Sequence, residues 1–266
     1  MIKRLNNLIN CDFDIEITGI VTTSQEVQPG FLFVCIPGFK CDRHDYIPQA
    51  IEKGAVAIVG TRDNIDCSVP YVKVEAVQFA LKEICTKFYD DPLSKLKIIG
   101  VTGTDGKTST AWIISNLIGQ DKCAYMGTHG IFYAGVDEHA LNTTPAYEYF
   151  IRFAKHIVDA GCEFLCMEAS SEAQLFGRLD FIDFYTTAYT NIKREHLNNH
   201  GSLENYVACK LAIIEKASKV GSCILNADDE HFEEAKAVCR GKIFSYGFKD
   251  SCDLQILGFT ETVNNT

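Results

Sequence analysis

Short apolar runs alternate with amphipathic stretches along this chain. In the first 90 residues, runs such as FLFVCI and AVAIVG are separated by stretches such as VQFALKEICTKFY, whose apolar positions recur every three or four residues. Short continuous apolar runs are typical of buried strands, and the longer period is typical of helices. The pattern therefore predicts a small α/β domain at the N-terminus.

The same alternation continues at longer spacing after a polar break. The segment YDDPLSKLK contains Pro92 and has no apolar periodicity, so we place a domain boundary between Asp90 and Leu96. The candidate strands beyond it are KIIGVTG, CAYMGT, EFLCMEAS, YTTAYTNI and SCILNAD. This order predicts an α/β fold with a mostly parallel, doubly wound sheet. The predicted domains are residues 1–93 and 94–266.

Composition and charge exclude several classes of partner. The 266 residues are 47% hydrophobic, which is enough for one large core or two smaller ones. With 25 basic and 35 acidic residues, the formal charge of -10 argues against nucleic acid or an anionic membrane as a partner. The sequence contains neither a signal-peptide core nor an apolar segment long enough to span a membrane, so we expect a cytoplasmic protein.

The 12 cysteines do not form a recognisable motif. Their spacings never give the paired C-x-x-C of a zinc ribbon or a redox site, and most lie inside apolar runs. We therefore expect them to be reduced and to pack as small core residues.

The segment GVTGTDGKTST predicts a phosphate-binding loop between a strand and a helix. Gly103 and Gly106 allow the backbone to approach an anion, the helix start attracts negative charge, and Lys107 adds a cation. Thr108 would offer its hydroxyl to magnesium. The strict G-x-x-x-x-G-K-[ST] pattern has glycine where this chain has Val101, so the loop is a variant, and a purely structural turn is the alternative.

Glu168 and the residues after it form a second candidate site. Glu168 follows the candidate strand EFLCM at its carboxyl end, where a carboxylate is poor core material and a good ligand for a hard cation. A solvated turn carboxylate is the alternative. Ser170, Ser171 and Arg178 are suited to an anionic substrate, because the planar guanidinium matches carboxylate and phosphate.

A predicted helix from about Ser202 places a lysine on its apolar face. The positions of that face are Leu203, Val207, Lys210, Ile214 and Ala217. A lysine there often extends its ammonium to the edge of the core. The alternative is a desolvated amine that reacts with carbon dioxide, and the resulting carbamate can bind magnesium. His196, in the loop before the helix, is a candidate second ligand.

The segment LNTTPAYEYF predicts another helix start. Thr144 fits the N-cap and Pro145 the first helical position. Asn142 and Thr143 then stay available to hydrogen-bond a phosphate or a sugar.

Taken in order, these segments resemble the Mur ligase family. The matching stretches are GVTGTDGKTST, NTTP, MEASS followed by Arg178, TNIKREHLNNHGSLENYVACK and LNADDE. The stretches TTSQEVQPGFLFVCIPG and AIEKGAVAIV are similar to the UDP-binding domain of that family. The resemblance implies an ATP-dependent amide ligase of peptidoglycan synthesis, which adds a diamino acid to UDP-MurNAc-L-Ala-D-Glu through an acyl phosphate.

The resemblance also implies a role for individual residues. ATP would be bound by Gly103, Thr104, Asp105, Gly106, Lys107, Thr108, Ser109 and Asn226. Magnesium would be bound by Thr108, Glu168, His196 and carbamylated Lys210. The UDP-sugar peptide would be bound by Thr22, Ser24, Asn142, Thr143, Thr144, Ser170 and Arg178. The catalytic residues would be Lys107, Lys210 and His196.

The chain departs from the family pattern at several positions. Asp105 stands in place of the usual loop asparagine, Glu172 in place of a histidine and Phe176 in place of a glutamine. By the same resemblance, we expect the C-terminal domain that selects the amino acid to be absent from this chain, and a separate chain could supply it. Two further hypotheses therefore stay open, namely a non-catalytic remnant that binds ATP or a UDP-sugar, and one half of a split ligase.

Overall fold

The computed structural model divides the chain into two compact units. It describes residues 1–37, 41–139, 142–193 and 200–258. One unit comprises Met1–Ser94 with Tyr147–Lys155, and the other comprises Lys95–Ala146 with His156–Thr266. The membership of residues 147–155 in the first unit was not predicted.

A four-stranded parallel sheet forms the centre of the first unit. A separate antiparallel pair consists of β1 (Lys3–Arg4) and β2 (Glu16–Ile17). The parallel sheet contains, in spatial order, β3 (Gly19–Val21), β4 (Phe31–Val34), β5 (Ala55–Gly60) and β6 (Tyr71–Lys73). The helices are α1 (Leu5–Leu8), α2 (Ile47–Glu52) and α3 (Val77–Phe88). Ile47 and Ala50 of α2 are buried in one apolar cluster with Phe33 and Ile58 of the sheet.

The second unit is built on a nine-stranded sheet. Its strands are β7 (Lys97–Thr102), β8 (Cys123–Gly127), β9 (Gly130–Tyr133), β10 (Val136–Glu138), β11 (Phe164–Glu168), β12 (Phe184–Tyr189), β13 (Ala217–Asn226), β14 (Lys242–Gly247) and β15 (Leu254–Gln255). Their spatial order is β10-β9-β8-β11-β7-β12-β13-β14-β15, and only β8-β9 and β9-β10 pair antiparallel. The helices of this unit are α4 (Lys107–Ile118), α6 (Ser171–Leu175), α7 (Leu203–Glu215) and α8 (Phe232–Val238). Helix α5 (Tyr147–Asp159) belongs to the first unit over residues 147–155 and to the second unit over its last four residues. Within the described ranges, none of the helices is long and apolar enough to cross a membrane.

Helices cover both faces of the large sheet. On β12, Ala188 belongs to the same apolar cluster as Ala111 of α4, whereas the next residue, Tyr189, belongs to the cluster of Ile214 on α7. Because successive side chains of a strand point to opposite faces, α4 and α7 lie on opposite sides of the sheet. The predicted α/β fold with mostly parallel, doubly wound sheets is confirmed.

The predicted start of α5 is wrong. The helix begins at Tyr147 and its N-cap is Ala146, which makes no side-chain capping bond. The hydroxyl of Thr144 instead donates to the backbone carbonyl of Glu168 at 2.8 Å. Because this bond uses the Thr144 hydroxyl in a contact with another strand, the residue does not cap the helix.

The expectation of reduced cysteines is wrong for one pair. Cys223 of β13 and Cys239, just after α8, form a disulfide with a Cα–Cα distance of 6.4 Å. The fold brings them together because α8 packs back against β13 in the apolar cluster that contains both residues. Their separation of 16 residues matches no motif, so the sequence alone gave no signal of the pair.

Candidate functional site

A glycine-rich turn joins the carboxyl end of β7 to α4. Gly103 has a φ of 151° and Gly106, the N-cap of α4, has a φ of 80°. Both values lie where residues with a Cβ are strained, and a Cβ on Gly103 would also collide with the Thr190 hydroxyl. Lys107, Thr108 and the exposed Ser109 begin the helix. A backbone turn at a helix start is the arrangement that binds phosphate in many proteins.

The segment after β12 holds this loop in place. The backbone N–H of Thr104 donates to the Asn191 carbonyl at 2.7 Å, and that of Asp105 donates to Asn191 Oδ1 at 3.0 Å. The Thr190 hydroxyl donates to the Asp105 carbonyl at 2.7 Å. Asn226, at the end of β13, donates from Nδ2 to the Thr190 carbonyl at 2.7 Å. Asn226 thus stabilises the segment after β12, which in turn binds the glycine-rich loop.

Glu168 is a buried carboxylate at the carboxyl end of β11. Its side chain is almost fully enclosed, with a relative exposure of 1%. It accepts hydrogen bonds at 2.7 Å from the Thr108 hydroxyl, the Tyr125 hydroxyl and the Thr128 backbone N–H. Burial, together with the bond to this carboxylate, raises the pKa of Tyr125, so its hydroxyl remains a donor. The carboxylate is therefore fixed beside the first turn of α4.

Two lysines converge on the glycine-rich loop. Lys210 of α7 is 1% exposed, and its Nζ donates to the Gly103 carbonyl at 2.6 Å. The Nζ of Lys107 donates to the carbonyls of Gly103 and Thr104 at 2.9 and 2.8 Å. The predicted position of Lys210 on the buried face of its helix is observed, and the ammonium ends at the loop rather than in solvent.

One cavity of about 280 Å³ in the second unit collects most of the predicted cation and substrate residues. The predicted residues in its wall are Lys107, Thr108, Asn142, Thr143, Thr144, Glu168, Ser170, Arg178 and Lys210. It is also lined by Thr128, Ser171, Glu172 and Tyr206. With Lys210 unmodified, three basic side chains and two carboxylates line the cavity of a chain of net charge -10, and Lys107 and Arg178 are the basic side chains suited to an anionic ligand.

The other predicted substrate residues lie in the first unit. The hydroxyl of Thr22 donates to Glu148 Oε1 at 2.5 Å, and that of Ser24 donates to Gln49 Oε1 at 2.6 Å. Both residues are buried, and their hydroxyl protons are used in these internal bonds. His196 lies outside the described residues.

The residues present fit a magnesium ion next to nucleotide phosphates. The hydroxyl of Thr108 and Oε2 of Glu168 are two hard oxygen ligands only 2.7 Å apart. Among the residues that the structure describes, no group of three or more His, Cys, Asp or Glu side chains could hold a metal. Magnesium usually uses one or two protein oxygens and takes its other ligands from phosphate and water, which is the donor set found here.

Comparison with known families accounts for this arrangement. The family described as Mur ligase middle domain matches residues 101–264, and the family described as Mur ligase family, catalytic domain, matches residues 16–89. The chain belongs to the Mur ligase family. The glycine-rich loop, Glu168 and Lys210 all lie within the stretch that matches the Mur ligase middle domain.

Curated Mur ligases are similar to this chain over about half of their own length. A UDP-N-acetylmuramoyl-L-alanyl-D-glutamate--2,6-diaminopimelate ligase from Geobacillus thermodenitrificans is 36% identical, over 90% of this chain and 50% of that protein. A ligase of the same name from Bacillus licheniformis is 34% identical, over 91% of this chain and 51% of that protein. The chain spans about half the length of the curated relatives it matches.

Solved structures of Mur ligases share the fold. One UDP-N-acetylmuramoyl-L-alanyl-D-glutamate--2,6-diaminopimelate ligase superposes with a TM-score of 0.76 at 23% identity, covering 95% of this chain and 54% of that one. MurF from Acinetobacter baumannii superposes with a TM-score of 0.66 at 19% identity, covering 90% and 49%. The two-part α/β architecture of this Mur ligase chain is therefore that of the family.

Sequence reasoning missed three side chains of the Mur ligase site. Tyr125 and Thr128 bind Glu168, and Tyr206 lines the cavity beside Lys210. Tyr125 lies inside an apolar strand, where a tyrosine looks like core. Tyr206 precedes Lys210 by four residues, and this helical spacing was the one available signal that the two side chains are neighbours.

Proposed function

We propose that this chain forms the nucleotide-binding and acceptor-binding part of an ATP-dependent amide ligase. The ligase would add a diamino acid to UDP-MurNAc-L-Ala-D-Glu in peptidoglycan precursor synthesis, in the cytoplasm. The observation that carries this proposal is the convergence of Lys107, Glu168 and Lys210 on one cavity at the carboxyl end of a parallel sheet, in a Mur ligase chain. The acyl-phosphate route of the family needs no nucleophilic side chain.

The loop residues 103–109 are proposed to hold the ATP phosphates. Gly103 and Gly106 have no Cβ, so the backbone of the loop can approach an anion closely, and the helix start favours negative charge. The Nζ of Lys107 contacts the backbone of the loop, and we propose that it binds the γ-phosphate of ATP during its transfer. Asn226 is proposed to lie near the adenine, and its bond to Thr190 supports this position only indirectly.

Thr108 and Glu168 are proposed to bind magnesium, with His196 and a carbamate on Lys210 as further ligands. The magnesium ion would neutralise charge on the phosphates during transfer. Almost complete burial of Lys210 supports the carbamate, because desolvation disfavours the ammonium form of an amine. A carbamate there would lie near the loop, since the unmodified amine already contacts Gly103.

The acceptor is proposed to bind to the polar residues that line the same cavity. Asn142, Thr143 and Ser170 offer neutral hydrogen-bonding groups, and Arg178 offers a guanidinium fork for a carboxylate or phosphate. Thr22 and Ser24 are proposed to contact the uridine part through their oxygen lone pairs. The incoming amine is proposed to be 2,6-diaminopimelate, because the relatives cited above are named for it.

We propose as a second candidate that the chain is one half of a split ligase and that a separate chain supplies the amino-acid-binding domain. In this case the 266-residue chain alone binds MgATP and UDP-MurNAc-L-Ala-D-Glu but does not catalyse the ligation. A non-catalytic binding remnant would behave in the same way when alone, but would stay inactive after the second chain is added.

Binding and turnover of the isolated chain test the proposal. UDP-MurNAc-L-Ala-D-Glu and MgATP are titrated separately, and phosphate release is then measured with 2,6-diaminopimelate or lysine. We expect both ligands to bind and turnover to be poor. Failure of either ligand to bind at millimolar concentration would contradict the proposed site. Brisk ligation by the chain alone would contradict the expectation of poor turnover and exclude the split-ligase and remnant candidates.

A further inference from the structure

Tyr206 lies at the centre of the contacts between α7 and the phosphate-binding loop. It is one of the largest fully buried side chains, with a relative exposure of 0%. Its hydroxyl is 2.9 Å from the hydroxyl of Thr104 in the loop. Its ring lies 4.7 Å from Nζ of Lys210, which is four residues later on the same helix. One tyrosine thus touches both the loop and the lysine that we propose as a ligand.

The contact with Thr104 fixes the loop through a side chain that also lines the cavity. Thr104 Oγ1 also accepts from the backbone N–H of Lys193 at 2.8 Å and lies 3.2 Å from the Lys193 carbonyl. The Tyr206 hydroxyl therefore joins a set of polar groups that connects α7, the loop and the segment after β12. Each member of such a network depends on the others for satisfied hydrogen bonds.

The ring of Tyr206 fixes the position of the lysine. The Nζ of Lys210 lies 4.7 Å from the centre of the ring while it donates to the Gly103 carbonyl, so the ring limits where the side chain of Lys210 can lie in both its free and its carbamylated form. Tyr206 also contacts the buried His200, with ring centroids 5.2 Å apart, and Nε2 of His200 is 3.1 Å from the Ser171 hydroxyl. The ring of Tyr206 therefore packs against both Lys210 and His200.

We infer that Tyr206 is a positioning residue for the nucleotide site, which sets the place of Thr104 and of Lys210 relative to the bound phosphates. This inference rests on the proposed function and deepens it. Tyr206 acts through its neighbours and is assigned no chemical step of its own. Removing only its hydroxyl should release Thr104 and lower the affinity for MgATP, whereas the ring would still support Lys210.

A double-mutant cycle tests the inference on the 266-residue chain. MgATP affinity is measured by calorimetry for wild type, Tyr206→Phe, Thr104→Val and the double variant. Both single changes remove the hydrogen bond between Tyr206 and Thr104, and Thr104→Val also removes the two contacts with Lys193. We therefore expect Tyr206→Phe to weaken binding about three- to tenfold, Thr104→Val to weaken it at least as much, and the double variant to be no weaker than Thr104→Val. Tyr185→Phe removes a half-exposed hydroxyl from β12 in the same unit and should leave the affinity unchanged.

The melting temperatures of the same proteins separate positioning from stability. A purely structural Tyr206 would lower the melting temperature and leave the affinity of the folded protein within twofold of wild type, and this result would overturn the inference. Additive losses in the affinity cycle would overturn it as well. A wild-type chain that does not bind MgATP would instead contradict the proposed function, and the stability cycle would still decide whether Tyr206 and Thr104 are coupled.

Discussion

The amine of Lys210 donates a hydrogen bond of 2.6 Å to the carbonyl of Gly103, although the two residues are 107 positions apart in the chain. The bond links a buried helix face to the phosphate-binding loop. A chemical change at this amine therefore alters a hydrogen bond of the loop itself. This relationship makes Lys210 the first residue to test.

Lys210→Ala should weaken MgATP binding by at least about tenfold, because groups that bind or orient a metal ligand usually contribute that much. Added acetate should restore part of the affinity by placing a carboxylate in the vacated space. Titration calorimetry in magnesium buffer measures both effects. The exposed Lys219, mutated to Ala, serves as the control. Unchanged affinity of Lys210→Ala would exclude the proposed ligand role.

Gly103→Ala should destabilise the second unit. The new Cβ would meet the Thr190 hydroxyl, and the φ of 151° disfavours any side chain. Overpacking of this kind costs about 1–3 kcal/mol, and each kcal/mol lowers the melting temperature by about 2–4 °C in a protein of this size.

Gly161→Ala is the matched control for backbone strain. Gly161 also has a positive φ of 89°, but its Cβ would meet no atom within 4 Å. Thermal unfolding should therefore show a smaller loss for Gly161→Ala than for Gly103→Ala. Equal losses would mean that the collision with Thr190 is absent.

The Cys223–Cys239 disulfide should be detectable by alkylation of the unfolded chain. Ten cysteines are free, so ten should react before reduction and the two others only after it. Mass spectrometry counts the adducts. A cross-link that closes a loop of about 15 residues stabilises a protein by about 3 kcal/mol, so reduction should also lower the melting temperature. Reaction of every cysteine without reductant would show that the bond is absent.

The stability of the first unit should depend on pH through Glu148. Burial raises the pKa of this carboxyl, although its bond from Thr22 opposes the shift. The folded chain then holds a proton that the unfolded chain releases, so stability falls as pH rises above the ordinary glutamate pKa.

Glu148→Gln removes this titration and keeps an acceptor for the Thr22 hydroxyl. The substitution should raise the melting temperature at pH 7.5 and change it little near pH 4. The exposed Glu75, mutated to Gln, is the control and should show neither effect. An equal gain at both pH values would indicate a packing effect and not a titration.

Much of the fold was predictable because its signals are local. The run AVAIVG became β5 without a shift of either boundary, and the stripe through Val207 and Lys210 became the buried face of α7. The glycine-rich loop was predictable for the same reason, since the strand, the turn and the helix are adjacent in sequence. Hydrophobic periodicity predicts elements whose residues are adjacent in the sequence.

The contacts that the sequence did not predict are all long-range. Thr144 was expected to cap α5, but the fold places its hydroxyl against the carbonyl of Glu168. Cys223 and Cys239 meet only because α8 folds back on the sheet. Tyr206 and Thr104 are 102 positions apart, so no local pattern could connect them.

The most direct test of the account is the magnesium dependence of ATP binding. Thr108 and Glu168 are placed to bind the ion beside the phosphates, so calorimetry should show tighter ATP binding with magnesium than with EDTA. Glu168→Gln should remove most of this difference, while Glu163→Gln, an exposed change just before the same strand, should preserve it. An affinity that is the same with and without magnesium, or a difference that survives in Glu168→Gln, would contradict the central claim.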